Sequence, residues 1–316
     1  MNDQTSYQEN VDRAKRKKKR TIMIVSIVVG AVILHVAAYV FFFALIFPKI
    51  EGTLNEYGLY LPFRPHAVEA TVEIVIPEGE TEIPDQAYVG RKDIKSVVIP
   101  EGVTTIGSNA FFGCSGLTSV TIPESVTEIK DSAFNGCASL ESITLPKNLR
   151  IIGSHAFSYC SKLTGIVFPD SVEKIGMSAF SSCSALTEIR LPPNLLSVEA
   201  STFKDCTSLS TVSIGNRVTR INYKAFYNCT SLTDLTVGNS VEKIEESAFL
   251  YSSIPTVTLP ATVTSLGAGA FGACASLSDV RFGGTTEQWN RIKKDEWKKD
   301  TPPVIVRCSN GNVLED

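Results

Sequence analysis

The chain has 316 residues and a formal net charge of −3, from 30 basic and 33 acidic side chains. Residues 1–20 carry seven bases and three acids (net +4), residues 21–47 carry no Asp, Glu, Lys or Arg, and the remainder carries 23 bases and 30 acids (net −7). A mildly acidic body argues against nucleic acid as a partner, because that requires a basic face.

Residues 1–20 end in the basic cluster Arg13 to Arg20 and are too polar to bury a core. Thr21 to Phe47 is a 27-residue apolar run, long enough to span a bilayer with some tilt. A cleavable secretory signal has an apolar region of only about 7–15 residues, so this run reads as an uncleaved signal anchor. Basic residues stay on the cytoplasmic side, which predicts one transmembrane helix over 21–47, a cytoplasmic tail over 1–20, and everything beyond residue 47 outside the cell. His35 falls inside the span, where an ionisable group is either functional or simply a neutral imidazole. Residues 48–71 form a linker broken by Pro48, Pro62 and Pro65.

From residue 72 to residue 282 one pattern recurs: Leu-x-x-Val-x-Ile-Pro, then Val-x-x-Ile, then Ala-Phe-x-x-Cys. Its aromatic falls at Tyr88, Phe111, Phe134, Phe157, Phe180, Phe203, Phe226, Phe249 and Phe271, every 23 residues until a last step of 22. A fixed period of this size is the signature of stacked coils in a solenoid. In the coil over 117–134, Leu117, Val120 and Ile122 are expected to point inward and Ser119 and Thr121 outward, as along a half-buried strand. Pro123 ends that strand, Val126 and Ile129 return to the core, and Ala133 and Phe134 are read as opening a short helical turn that reaches Cys137. The coil after Phe249 is one residue short, has Ser252 and Ser253 where a cysteine is expected, and continues into Pro255. After Phe282 the pattern stops. Residues 283–316 read as a C-terminal cap, with a helix near Glu287–Ile292, a last strand over Val304–Val306, and Trp289 and Trp297 large enough to seal the core.

Seven of the eight cysteines recur in phase with the aromatic, at 114, 137, 160, 183, 206, 229 and 274. Equivalent side chains in a stack point the same way, which is poor disulfide geometry; the ladder reads as free thiols packed as small hydrophobes. No Cys-x-x-Cys pair, phosphate loop, nucleophile elbow or His-Glu-x-x-His spacing is present, and the three histidines (His35, His66, His155) are scattered. The expectation is a non-enzymatic protein with no catalytic residues, metal or cofactor. The outward positions of the strands form the candidate ligand-binding face. Most are small and polar; Glu188, Arg190, Asp234, Asp279 and Arg281 depart from that pattern, and with Thr211 they are the candidate ligand-binding residues. A rival surface is the aromatic set on the turns: Phe112, Tyr159, Tyr227 and Tyr251.

The Leu117-x-x-Val120-x-Ile122 core, the 23-residue period and the Ala-Phe-x-x-Cys turn together resemble the BspA-like family of bacterial surface leucine-rich repeat proteins. The resemblance extends over about residues 72–310 and includes Gly-Thr-Thr-Glu-Gln-Trp289 and Val306-Arg-Cys308-Ser-Asn-Gly311. Only Asn148 and Asn194 keep the asparagine ladder of the broader repeat class. The resemblance implies a leucine-rich repeat solenoid and a role in adhesion or binding at the cell surface, with an extracellular protein or glycan as ligand. A structural or signalling membrane complex is the second reading. A cytoplasmic tail of 20 residues has no room for a signalling domain, which favours the first.

Overall fold

A computed structural model describes residues 72–294 and 296–316. The basic tail, the span assigned to 21–47 and the linker, with His35 and His66, lie outside the described residues. Among the described residues no helix is long and apolar enough to cross a membrane.

Most coils cross the front face as a short strand, and within each front sheet a strand pairs in parallel with that of the next coil. β1 (Val72–Val75), β3 (Ile94–Val98) and β5 (Ser119–Thr121) make one sheet. β9 (Glu188–Arg190), β11 (Thr211–Ser213) and β13 (Asp234–Thr236) make a second. β15 (Thr256–Leu259), β17 (Asp279–Phe282), β18 (Val304–Cys308) and β19 (Gly311–Glu315) make a third. Between the first two the ladder shrinks to a single bridge, Ser142 to Gly165. A second side of the solenoid carries two-residue strands: β2 (Glu82–Ile83), β4 (Thr105–Ile106), β6 (Glu128–Ile129), β7 (Ile151–Ile152) and β8 (Lys174–Ile175) in one sheet. β10 (Ser197–Val198), β12 (Arg220–Ile221), β14 (Lys243–Ile244) and β16 (Ser265–Leu266) form another. Alternation sets burial: Val120 is buried between exposed Ser119 and Thr121, and Ile189 between exposed Glu188 and Arg190.

The third side is the turn, and it is not the helical turn expected from Ala-Phe-x-x-Cys. A helix closes its amide bonds within itself. Here only alternate amides do so. Ala110 and Phe112 donate within the turn to Gly107 and Asn109, while Phe111 and Gly113 donate to Ala133 and Asn135 of the next coil, both at 2.7 Å. Left-handed residues two places either side of the aromatic, Asn109 (φ 55) and Gly113 (φ 69), reverse successive peptides so that every second N–H points along the stack. Glycine takes this conformation freely. The same place is held by Tyr159 (φ 60) and Asp205 (φ 61), whose strain the inter-coil bond offsets.

The core runs the length of the stack. The nine aromatic rings lie nearly parallel with centroids 5.1–5.6 Å apart, from Tyr88 to Phe271. Beside them stand the cysteines, seven of which are buried. Each thiol donates to the carbonyl of the aromatic residue in the preceding coil, as Cys137 does to Phe111 and Cys183 to Phe157.

At the C-terminal end, Thr285 caps the helix α1 (Thr286–Arg291) through a reciprocal bond with Gln288. That helix buries Trp289, whose ring meets Phe282 edge-on at 5.4 Å and Trp297 at 5.7 Å. Trp297 in turn covers Phe271 at 6.0 Å, so the two tryptophans close the aromatic stack. β19 was not anticipated from the sequence. It returns antiparallel on β18 through the two-residue loop Ser309-Asn310.

Candidate functional site

Glu188, Thr211 and Asp234 stand opposite one another on β9, β11 and β13, and Arg190, Ser213 and Thr236 form the parallel row beside them. Adjacent strands lie about 4.8 Å apart, so the structure brings four of the six expected residues onto one rigid patch. Asp279 and Arg281 are not part of it. They sit on β17, across an interruption of the front ladder between β13 and β15. Pro255 stands at this interruption. Thr187 and Ser210 each donate an amide to the coil before, and Thr233 donates to Ser210 in the same way. Pro255 occupies the next such place and has no N–H to give.

Aligning the strands exposes a pattern that the linear sequence hides. The acids of the front face, Glu73, Glu188, Asp234 and Asp279, all occupy the first outward position of their strands. Arg190, Arg281 and Arg307 all occupy the second; the one base at the first edge is Lys95, the extra residue of β3 before Ser96. The face is therefore acidic along one edge and basic along the other. Asp279 holds both Arg281 (3.3 Å) and Arg307. Glu188, Arg190 and Asp234 take part in none of the nine ion pairs among the described residues, so their charges remain available to a partner.

The turn side carries the rival surface, in altered form. Phe112 and Tyr159 are exposed but stand in coils apart from the others. Tyr227 and Tyr251 do meet, edge-on at 5.5 Å. The structure adds Tyr223, Lys224 and Lys204 to them. The Lys224 ammonium lies 4.8 Å from the Tyr223 ring and 5.1 Å from the Tyr227 ring, and Lys204 lies 5.8 Å from Tyr227. A hydrogen bond with Tyr223 raises the Lys224 ammonium above the usual lysine range. Lys204 reaches the Tyr227 ring because equivalent turn positions in neighbouring coils stack, whereas Lys224 belongs to the same turn as Tyr227, and the sequence signal was the run Tyr223-Lys224-Ala-Phe-Tyr227. Lys204 also pairs with Asp205 at 2.8 Å, and Asn228 donates to that carboxylate at 2.9 Å, so this cluster satisfies much of its own polarity.

Elsewhere the electrostatics are structural. Burial pushes the Cys114 thiol up to about 11 and the deeper thiols further. Among the described residues no group of three His, Cys, Asp or Glu is placed to hold a metal ion.

The sequence profile of the BspA type leucine-rich repeat region matches residues 81–209 and 173–293, in six copies. No curated protein sequence matches the chain. Among solved structures, a leucine-rich repeat protein from Bacteroides ovatus is 27% identical over 70% of this chain and 59% of its own, with a TM-score of 0.64. The chain thus spans about six-tenths of that protein. The T. pallidum leucine-rich repeat protein is 32% identical over 52% of this chain and 79% of its own, with a TM-score of 0.49. A leucine-rich cell surface protein from Faecalibacterium prausnitzii is 25% identical over 71% and 82%, with a TM-score of 0.34.

Proposed function

Because the chain belongs to the BspA-type leucine-rich repeat family, we propose that it is a non-enzymatic binding or adhesion module, held in the cell membrane by residues 21–47 with its solenoid outside. One observation carries the binding assignment: the in-register patch of Glu188, Arg190, Thr211 and Asp234, where strand pairing fixes unpaired charges on a rigid surface. Rigid, preformed sites lose little entropy on binding, and charge complementarity sets specificity and encounter rate. The ligand is an extracellular protein or glycan with basic groups toward the row of Glu188 and Asp234 and acidic groups toward Arg190. The charge-free apolar run after a basic cluster supports the topology.

Two experiments test this reading. Full-length protein on cells should capture surface components that the double variant Glu188→Ala, Arg190→Ala loses. Its melting temperature should stay unchanged, since surface substitutions alter stability by about 0.5 kcal/mol or less. Capture that survives this change and vanishes with Tyr227→Ala, Tyr251→Ala moves the site to the turn side. For topology, protease added to intact cells, or to protoplasts where a wall is present, should remove the repeats; protected repeats would sink the extracellular assignment.

A further inference from the structure

The far side of β19 carries an inference independent of the ligand-binding face. β19 is the last strand of its sheet, and among the described residues nothing pairs with its outer edge. Ile305 turns its own N–H toward Ser278, at 3.0 Å. Antiparallel pairs alternate between those that exchange hydrogen bonds and those that do not. Leu314, opposite Ile305, therefore directs its N–H and C=O away from β18, and so does Asn312. An edge with such groups is a template for another strand. This one is also held in place: Glu315 accepts a bond from Trp289 Nε1 at 2.6 Å and lies 3.7 Å from the Lys294 ammonium. Its outward surface carries Leu314, 63% exposed, beside its partner Ile305, 41% exposed, with Asn312 and Arg307 as the neighbouring outward pair.

We propose that β19 pairs antiparallel with β19 of a second copy of this chain, about a two-fold axis through Val313. The occupant is a second copy because the strand complements itself in this register. Asn312 and Leu314 of each copy exchange backbone bonds with Leu314 and Asn312 of the other. Glu315 then faces Gly311, and Asp316 faces Asn310, so no acid opposes an acid. The two Leu314 side chains lie diagonally across the axis, within the reach of cross-strand neighbours, and join the two Ile305 side chains in one apolar strip. Such a contact is isologous and closes at the dimer, fusing two front sheets into one.

The full chain in detergent should show a single monomer–dimer equilibrium by sedimentation. Val313→Cys places two thiols at a non-exchanging pair on the axis, where the Cα separation of about 4.5 Å is within disulfide range. It should give a covalent dimer on a non-reducing gel, whereas the unaltered chain should not. Leu314→Pro deletes an outward N–H and no bond to β18, so it should abolish both the equilibrium dimer and the Val313→Cys cross-link. Leu314→Lys keeps the N–H and sets two ammonium groups diagonally across the axis; it should weaken the dimer at least about tenfold at low salt. A chain that stays monomeric, a dimer indifferent to both Leu314 changes, or an open series of larger species would overturn the proposal.

Discussion

At the scale of the residue, the cysteine ladder shows why one side chain recurs. The place is buried beside the aromatic stack and tolerates only a small side chain, yet it borders a carbonyl of the coil before. A thiol fits both conditions, packing as a small hydrophobe while donating a weak hydrogen bond. Two coils depart from it: the first has Arg91 at this place, at the open end of the stack, and the coil of Phe249 has Ser252, whose hydroxyl lies 3.1 Å from the Cys274 sulfur. Burial was legible from the regular spacing of the cysteines. The bond was not, because its acceptor lies 26 residues back, as Phe134 does from Cys160. Burial also raises these thiols above their ordinary range, chiefly by desolvating the thiolate. The folded chain therefore keeps protons that the unfolded chain releases from about pH 8.5 upward. The resulting stability is whole below that pH and falls as pH rises toward the folded-state values, by up to about 1.4 kcal/mol per thiol per pH unit. Thermal melts from pH 7 to 10 should show the loss, with a shallower slope for Cys160→Ala, Cys183→Ala, Cys206→Ala combined. Equal slopes would remove the thiols from the account.

At the scale of the element, strands were legible and turns were not. The alternation Val120, Thr121, Ile122 is a property of the local chain, so period-2 reading places Val120 in the core, Thr121 outside and Ile122 half-buried against the core. The turn over Ala133 and Phe134 looks helical in one coil taken alone. Its conformation is decided by amides that donate to the next coil, which no local pattern reveals. Pro255 is the converse case: a proline with no N–H to give is visible in sequence, and it stands at the break between β13 and β15 that sets Asp279 and Arg281 apart from the other four candidate residues. β19 left a signal too. Ser309-Asn310-Gly311, three residues containing glycine between Val304–Cys308 and a second extended run, is a hairpin cue. The segregation of acids and bases into two rows required the register, since Glu188 and Asp234 are 46 residues apart in sequence and meet only through β11.

At the scale of the whole molecule, the solenoid is held by contacts between neighbouring coils, so damage in one coil should stay near it. Phe180 is the place to test this. It is fully buried, stacked between Phe157 at 5.2 Å and Phe203 at 5.6 Å, with the edge of Phe168 at 5.5 Å. Phe180→Ala removes the ring from a column that neighbours on both sides help to support, and should cost about 3–5 kcal/mol. The amides of Phe157 and Phe180, which donate to Ala179 and Thr202, lie beside the cavity. Hydrogen exchange should quicken there first and fade toward Tyr88 and Phe271, because stability in such a stack is close to a sum of coil and neighbour terms. A uniform rise in exchange from Val72 to Phe282 would instead mean that the coils unfold as one unit, and the nearest-neighbour description would have to be given up.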